Sequence, residues 1–313
     1  MYLLGAIPNG KHRTKVGLEL RQAWFLNSVL LNMESWHNVN DQQLKELKVL
    51  DQYLLRQILG SHSKVPVEFL FLETSAIPID FILTSRRLNY LHTILSRGDN
   101  EITKKIYFSQ KNDPIKGDWA LQIKEDILKI ELNMDENDIC KMKKSLFKNL
   151  IRRKVRTASF LSLKEVQLHH TKVSNIIYSE YSIQPYLSST SLTFEESSTL
   201  FNARANTINN FKMCFTSVYR NNLNCRLGCI AQDSLEHCMN CEVLNTHVGR
   251  TTDLFSDIFA TVDHQKQAIK TFIKRKNTRT ALLEGVGAYQ GSSILDTSTP
   301  ALEGGAGERS GLR

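Results

Sequence analysis

The sequence lacks any apolar run approaching the roughly 20 residues that a membrane-spanning helix needs. Its first residues also lack the basic segment of a secretory signal, and their short apolar stretch is broken at Pro8 and Asn9. We therefore expect an intracellular protein, nuclear or cytoplasmic, that is neither secreted nor held in a membrane. In such a reducing compartment, clustered cysteines are more often metal ligands than disulfide partners.

The sequence also lacks the motifs of common catalytic sites. It contains no Asp-Asp dipeptide, and no strand–turn–strand pattern surrounds a single aspartate, so the paired carboxylates of two-metal nucleotidyl transfer are missing. It has neither a glycine loop for phosphate nor a Gly-x-Ser-x-Gly turn. We predict no catalytic residues, and we expect that this chain by itself is not a catalyst.

Positive charge is what the sequence has in surplus. Forty lysines and arginines against 32 acidic residues give a net charge of +8. Such a surplus favours anionic partners, with nucleic acid ahead of a membrane surface. An ordinary, mildly basic protein is the alternative interpretation of the same charge.

Cysteine is concentrated in one place, because four of the six cysteines fall between positions 225 and 241. Three residues separate Cys225 from Cys229, and three separate His237 from Cys241. Two close pairs joined by a short span suit a tetrahedral zinc ion, and so short a segment cannot bury a core of its own. We predict that these four residues hold a structural Zn²⁺. Cys238, about 100° from His237 on a helical turn, is the weakest candidate but could replace it.

Apolar residues recur at helical spacing along most of the chain, which predicts an all-α protein with a small zinc knuckle. Gly60 is expected to end one helix, Pro66 to begin the next, and Pro78 to separate two more. Residues 135–171 form the longest helical pattern, with an expected break near positions 157–159. Further helices are expected at about residues 194–219 and 253–276. The glycine-rich residues 285–313 are predicted to be disordered.

The long helical pattern carries a basic stripe at spacings of three, four, four and four. Its members are Lys141, Lys144, Lys148, Arg152 and Arg156. We expect the stripe to lie opposite a buried one made by Ile139, Met142, Leu146 and Leu150. A single-signed row of this kind predicts contact with a phosphate backbone. A solvated helix face is the alternative, and the sequence alone leaves both open.

Several short motifs, read in order over residues 16–245, resemble the C-terminal region of non-LTR (LINE-like) retrotransposon reverse transcriptases. They are Asn32-Met33-Glu34-Ser35-Trp36, Pro66-Val67-Glu68-Phe69-Leu70 with Glu73, Ile77-Pro78-Ile79, Arg86-Arg87 with Tyr90-Leu91-His92 and Arg97, Gln110, Gly117-Asp118-Trp119, Glu125-Asp126, Phe201-Asn202-Ala203-Arg204 and the Cys/His segment. The family's knuckle usually begins Cys-x2-Cys, so the three intervening residues here depart from its pattern. The glycine-rich tail matches nothing in the family.

The resemblance implies a thumb, a helical linker and a Cys-Cys-His-Cys zinc knuckle that follow a polymerase palm. It implies that Cys225, Cys229, His237 and Cys241 bind zinc and that the helical part grips template RNA and target DNA. It also places the catalytic aspartates upstream of Met1, in a palm and fingers region that would be a further partner. Among the basic residues, Arg86, Arg87 and the stripe would contact phosphates.

The predicted organisation has six parts in chain order. They are a helical pair resembling a palm–thumb junction (1–62), thumb-like helices (63–134), a basic linker (135–220), the zinc knuckle (221–245), a C-terminal helix (246–284) and the disordered tail (285–313). Two functions fit this organisation. The first is binding of RNA or DNA without polymerisation, and the alternative is a helical protein-interaction scaffold whose zinc site is purely structural.

Overall fold

The computed structural model describes residues 12–35, 41–207, 224–225, 227–231, 235–249 and 261–291. The regular structure of these residues is helical throughout, which confirms the all-α prediction. None of the helices described is both long and apolar enough to cross a bilayer. Cys214 and the end of the predicted linker, 208–220, lie outside the described residues, as does most of the predicted tail, 292–313.

The amino-terminal half consists of short and medium helices. They are α1 (Arg13–Leu20), a π-helical turn (Arg21–Phe25), α2 (Leu26–Val29), a 3-10 turn (Met33–Ser35), α3 (Asp41–Leu59), α4 (Val67–Thr74), α5 (Ile79–Leu95), α6 (Ile102–Asn112) and α7 (Trp119–Lys129). Helices α5, α6 and α7 pack on one another, and α5 also contacts the 3-10 turn.

The carboxy-terminal half contains the two longest helices of the described part. Its helices are α8 (Glu136–Lys141), α9 (Lys144–Leu168), α10 (Pro185–Ser188), α11 (Phe194–Arg204), α12 (Leu235–Asn240), α13 (Glu242–Val248) and α14 (Val262–Gly291). Helix α9 packs against α5 and α4, whereas α14 packs against α11, α12 and α13.

Glycine and proline fix three helix boundaries as predicted. Helix α3 ends before Gly60, whose φ of +61° lies in the left-handed region, and a Cβ there would meet Ser198 Oγ at 2.4 Å. A larger residue would therefore be strained and would also clash. Pro66 and Pro78 immediately precede α4 and α5, where a missing N–H costs no helical hydrogen bond.

The break in the long helical pattern is not where the sequence predicted it. Helix α9 runs without interruption through positions 157–159. The helical structure is interrupted instead at Met142 and Lys143. Met142 has an extended ψ of 138°, and its carbonyl oxygen lies 2.8 Å from Nε2 of His92. This contact with a residue of α5 takes the carbonyl out of helical register.

That break shifts the buried face of α9 by one residue and corrects the predicted stripe. Ile139 is buried as expected, but Leu146 is 57% exposed, and Met142 and Leu150 are only half-buried. The residues that α9 buries are Phe147, Ile151, Val155, Ser159, Leu163 and Gln167. The basic stripe therefore lies beside the buried stripe and not opposite to it, and Lys141 belongs to a different helix.

Two further helix ends differ from the expectation. Helix α11 begins with a Thr193–Glu196 capping box but ends at Arg204, because Asn206 adopts a left-handed φ of +49°. The predicted helix is therefore interrupted there, and the rest of its predicted range, 208–219, lies outside the described residues. At the other end, α14 continues to Gly291, beyond both the expected end near position 276 and the predicted start of the tail at 285.

The largest core cluster joins segments that are far apart in the chain. It combines α4, the end of α9, α11, α14 and the Cys/His segment with side chains from residues 173–192. We call residues 173–192 the connector, and Tyr178, Tyr181 and Tyr186 are buried there. A second cluster holds α5 to α8 against the first half of α9, and a third lies under α2.

The buried tyrosines of the connector meet a buried carboxylate on α4. Glu73 is fully buried and accepts hydrogen bonds from the hydroxyls of Tyr178, at 2.6 Å, and Tyr186. Arg204 of α11 donates to both carboxylate oxygens of Glu73, at 3.0 and 3.2 Å. Burial raises the pKa of both tyrosines, and the Glu73 charge raises it further, so they remain hydrogen-bond donors. This network connects α4, α10 and α11.

Two more buried arginines join helices in the same way. Arg21, in the π-helical turn, binds Asp51 of α3 through two bonds of 2.6 Å. Arg87 of α5 binds Asp126 of α7 at 2.5 and 2.8 Å, and Thr84 donates to the same carboxylate. Each pair withdraws a full positive charge from water and balances it with a carboxylate of another helix.

Breaking the Glu73–Arg204 pair should destabilise the fold strongly. In Glu73→Gln, the Arg204 guanidinium would remain buried without a carboxylate, which typically costs about 3–5 kcal/mol. Urea unfolding followed by circular dichroism measures the loss. Asp99→Asn, which removes the exposed carboxylate of the Lys104–Asp99 pair, is the matched control and should leave the unfolding midpoint unchanged. Equal midpoints for both variants would contradict the structural role of the network.

Candidate metal centre and basic groove

A tight turn carries the first two cysteines of the predicted metal site. The amide of Gly228 donates to the carbonyl of Cys225 at 3.0 Å, and the amide of Cys225 donates to the carbonyl of Ala231 at 2.9 Å. Gly228 has a φ of +92°, which favours glycine. The turn folds the chain back so that Cys225 and Cys229 face the same space.

Two consecutive short helices carry the other pair. His237 lies in α12, and Cys241 occupies the junction where α12 ends and α13 begins. The ligand atoms of Cys225, Cys229, His237 and Cys241 all lie within 4.8 Å of one another. Sγ of Cys229 is 3.6 Å from Sγ of Cys241, whereas tetrahedral zinc would separate two sulfurs by about 3.8 Å. These four residues are close enough to bind a metal ion.

The four residues differ in burial. Cys225 and Cys241 are buried, whereas Cys229 and His237 are half-buried. Cys238 is buried as well, but it is not among the residues that converge. Burial, with the neighbouring Cys229 thiol, raises the pKa of Cys241 to about 12. A metal ion would have to displace that proton.

Sequence reasoning missed Arg275, a fully buried side chain of α14 that reaches the same segment. Its guanidinium donates to the carbonyls of Cys238, Cys241 and Gly249, each at 3.2 Å, and to Oδ1 of Asn245 at 2.9 Å. The signal was present in the apolar spacing of α14, because Arg275 follows the buried Phe272 by three residues.

Part of the predicted basic stripe lines a groove between α5 and α9. Lys144, Lys148 and Arg152 repeat every four residues, about 6 Å along the helix axis, on one side of a cavity of about 540 Å³. Arg86, Asn89 and other α5 residues form the facing side, and α2 closes one end at Leu26. We call this cavity the basic groove. All three stripe residues are exposed to solvent.

The remaining predicted phosphate contacts lie elsewhere. Lys141 is exposed at the end of α8, outside the groove lining. Arg156 is also exposed, but its guanidinium donates to Ser75 Oγ at 2.9 Å and to the carbonyl of Tyr181. The Cζ atom of Arg156 also lies over the Tyr181 ring, 5.2 Å from the ring centroid. These contacts tie Arg156 to the connector.

The adjacent arginines of α5 have different surroundings. Arg86 lines the basic groove and donates to the carbonyl of Leu30 at 2.5 Å and to Oδ1 of Asn27 at 2.8 Å. Arg87 is only 7% exposed and is bound to Asp126. The prediction that Arg87 contacts phosphate is therefore corrected, because its charge is already paired inside the protein.

The basic groove carries positive charge that the described residues do not neutralise. Within the described part of the chain, no carboxylate forms a salt bridge with Lys144, Lys148 or Arg152. Glu34 is the acidic residue of the groove lining, and it is half-buried. Unpaired cations in one concave surface favour an anionic ligand.

Metal binding should depend on the four converging residues alone. The protein should take up one equivalent of Co²⁺ or Zn²⁺, and the double variant Cys225→Ser, Cys229→Ser should take up none, because two thiolate ligands are lost. Cys140→Ser, at an exposed cysteine outside the cluster, and Cys238→Ser should each retain one equivalent. Thiolate-to-cobalt absorbance reports the result, and loss of cobalt binding in Cys238→Ser would contradict the ligand set.

Comparison with known proteins identifies no relative of this chain. No family profile matches the chain, and neither a curated protein sequence nor a solved structure is detectably similar to it.

Proposed function

We propose that this chain binds RNA or DNA through the basic groove and that a structural zinc ion holds its carboxy-terminal part together. We also propose that it corresponds to the thumb, linker and knuckle region of a non-LTR retrotransposon reverse transcriptase. The observation that carries the binding proposal is the groove itself. Three exposed cations of α9 face Arg86 across a cavity, and none of the three has an acidic partner among the described residues.

The spacing of these cations supports a polymeric anion over a small one. A row that repeats about every 6 Å along α9 offers several separate positive charges to a ligand with regularly spaced phosphates. The facing side adds hydrogen-bonding groups from Ser85, Asn89 and Thr93. Phosphate contacts of this kind give affinity without reading sequence.

The contacts between the quoted motifs are consistent with the proposed family. Glu73 and Arg204 come from different motifs and form one buried pair, and so do Arg87 and Asp126. Nε1 of Trp119 donates to the carbonyl of Glu34 at 2.9 Å, which joins two more. The residues that carry the resemblance are thus mainly those that connect helices, and they support a shared architecture more than a shared active site.

Zinc is the metal that fits the ligand set best. Three thiols and an imidazole in a closed tetrahedron are typical of structural zinc, whereas oxygen ligands would favour magnesium or calcium. The site lies in the largest core cluster with Leu244, Ile269 and Phe272. A metal ion there would stabilise the packing of α12, α13 and α14.

Salt dependence tests the nucleic-acid proposal. Fluorescence anisotropy with labelled RNA and DNA strands should show binding that weakens steeply between about 50 and 200 mM salt, because each phosphate contact releases counterions. The triple variant Lys144→Gln, Lys148→Gln, Arg152→Gln should bind much more weakly, and its salt slope should fall by about two units.

The matched control removes the same charge outside the groove. Lys105→Gln, Lys124→Gln and Arg153→Gln together neutralise three exposed cations that do not line it. This control should keep most of the affinity. Equal losses in the two triple variants would show that net charge, not the groove, causes binding. Absence of binding by the unchanged protein near physiological salt would reject the proposal.

The protein-interaction scaffold is the second candidate. The position of the metal site is as consistent with it as with nucleic-acid binding. Arg275 and the apolar face of α14 attach the Cys/His segment to the core, so the site has a structural use without nucleic acid. This alternative expects Cys225→Ser with Cys229→Ser to unfold the part of the chain from about residue 200 to 280. It expects no nucleic-acid binding before or after the substitutions, which separates the two candidates.

A further inference from the structure

Arg275 differs in its partners from Arg21, Arg87 and Arg204, three of the other buried arginines of the described residues. Arg21, Arg87 and Arg204 each face a carboxylate, whereas no carboxylate of the described residues pairs with Arg275. Its bonds go to three backbone carbonyls and one side-chain amide, all in the Cys/His segment and α13. These acceptors satisfy its N–H groups but supply no full negative charge.

A buried guanidinium remains charged, and withdrawing it from water without a counter-charge is costly. Neutral thiols would leave this charge uncompensated. A nearby anion is therefore the missing component of the environment of Arg275.

The metal-bound cluster would supply that anion. A divalent ion, three thiolates and a neutral imidazole sum to one negative charge. Arg275 donates directly to the carbonyl of Cys241, one of the four ligands, so the opposite charges would be neighbours.

We propose that Arg275 is the counter-cation of the metal-bound Cys225–Cys229–His237–Cys241 cluster and that it couples metal binding to the docking of α14. The inference rests on the proposed metal site and is independent of nucleic-acid binding. Arg275 acts as a positioning residue, since it holds the backbone of the ligand segment and touches no ligand atom. Metal release would leave its charge unbalanced and would loosen α14 from α12 and α13.

The test compares metal affinity in Arg275→Gln and in Lys274→Gln, measured on the full chain by competition between Zn²⁺ and a chelator. Loss of an outer partner of a metal site typically lowers affinity about 10- to 100-fold, and we expect a loss of that size in Arg275→Gln. Lys274→Gln removes the same charge from an exposed neighbouring position and should leave affinity unchanged. Hydrogen exchange should show Zn²⁺-dependent protection of α14 in the unchanged protein and much less in Arg275→Gln.

Arg275→Lys keeps the positive charge, and it replaces Arg275→Gln in the affinity measurement if the Gln variant does not fold. Its affinity should stay within about tenfold of the unchanged protein, because the counter-charge remains. A purely structural clamp would destabilise metal-free and metal-loaded protein equally and leave Zn²⁺ affinity unchanged in Arg275→Gln, which would overturn the inference alone. If the unchanged protein bound no Zn²⁺, the metal site and the inference would both be wrong.

Discussion

A buried guanidinium needs both hydrogen-bond acceptors and negative charge, and this requirement determines how the helices of the chain are joined. Arg21, Arg87 and Arg204 meet it with Asp51, Asp126 and Glu73 on other helices. Because each partner lies on a different element, each pair fixes the relative position of two helices. The apolar clusters supply the driving force for burial, and the pairs determine which faces meet.

The same requirement separates the cations that are paired inside the protein from those that remain exposed. Arg86 and Arg87 are neighbours in sequence, but successive residues of a helix point about 100° apart, and only Arg86 reaches the basic groove. Lys144, Lys148 and Arg152 are exposed beside the buried stripe of α9 and remain available to a ligand. The Cys/His segment, Arg275 and α14 lie apart from this groove, in the core that contains α11 and Arg204.

Sequence patterns predicted the features that depend on neighbouring residues. Gly60, Pro66 and Pro78 set helix boundaries through their own backbone preferences, and the four metal-binding candidates were found by close spacing. Features decided by distant residues were missed. Tyr178 is 105 residues from Glu73 and Arg204 is 131 residues from it, so no local pattern revealed their contact.

The predicted buried face of α9 was wrong for the same reason. The contact between His92 and the Met142 carbonyl spans 50 residues, and it starts the helix anew at Lys144. The burial of Arg275 also needed a partner segment that precedes it by more than 30 residues, although its apolar spacing was visible. The spacing of the basic residues along the sequence thus indicated a basic helix, while packing decided which of its cations face the groove.

The most direct test of nucleic-acid binding by the groove is lysine footprinting with an acetylating reagent, in the presence and absence of a single-stranded oligonucleotide. Binding in the groove predicts that Lys144 and Lys148 become protected while the exposed Lys105 and Lys124 react at unchanged rates. Unchanged reactivity of Lys144 and Lys148 under conditions where the oligonucleotide is bound would contradict the account.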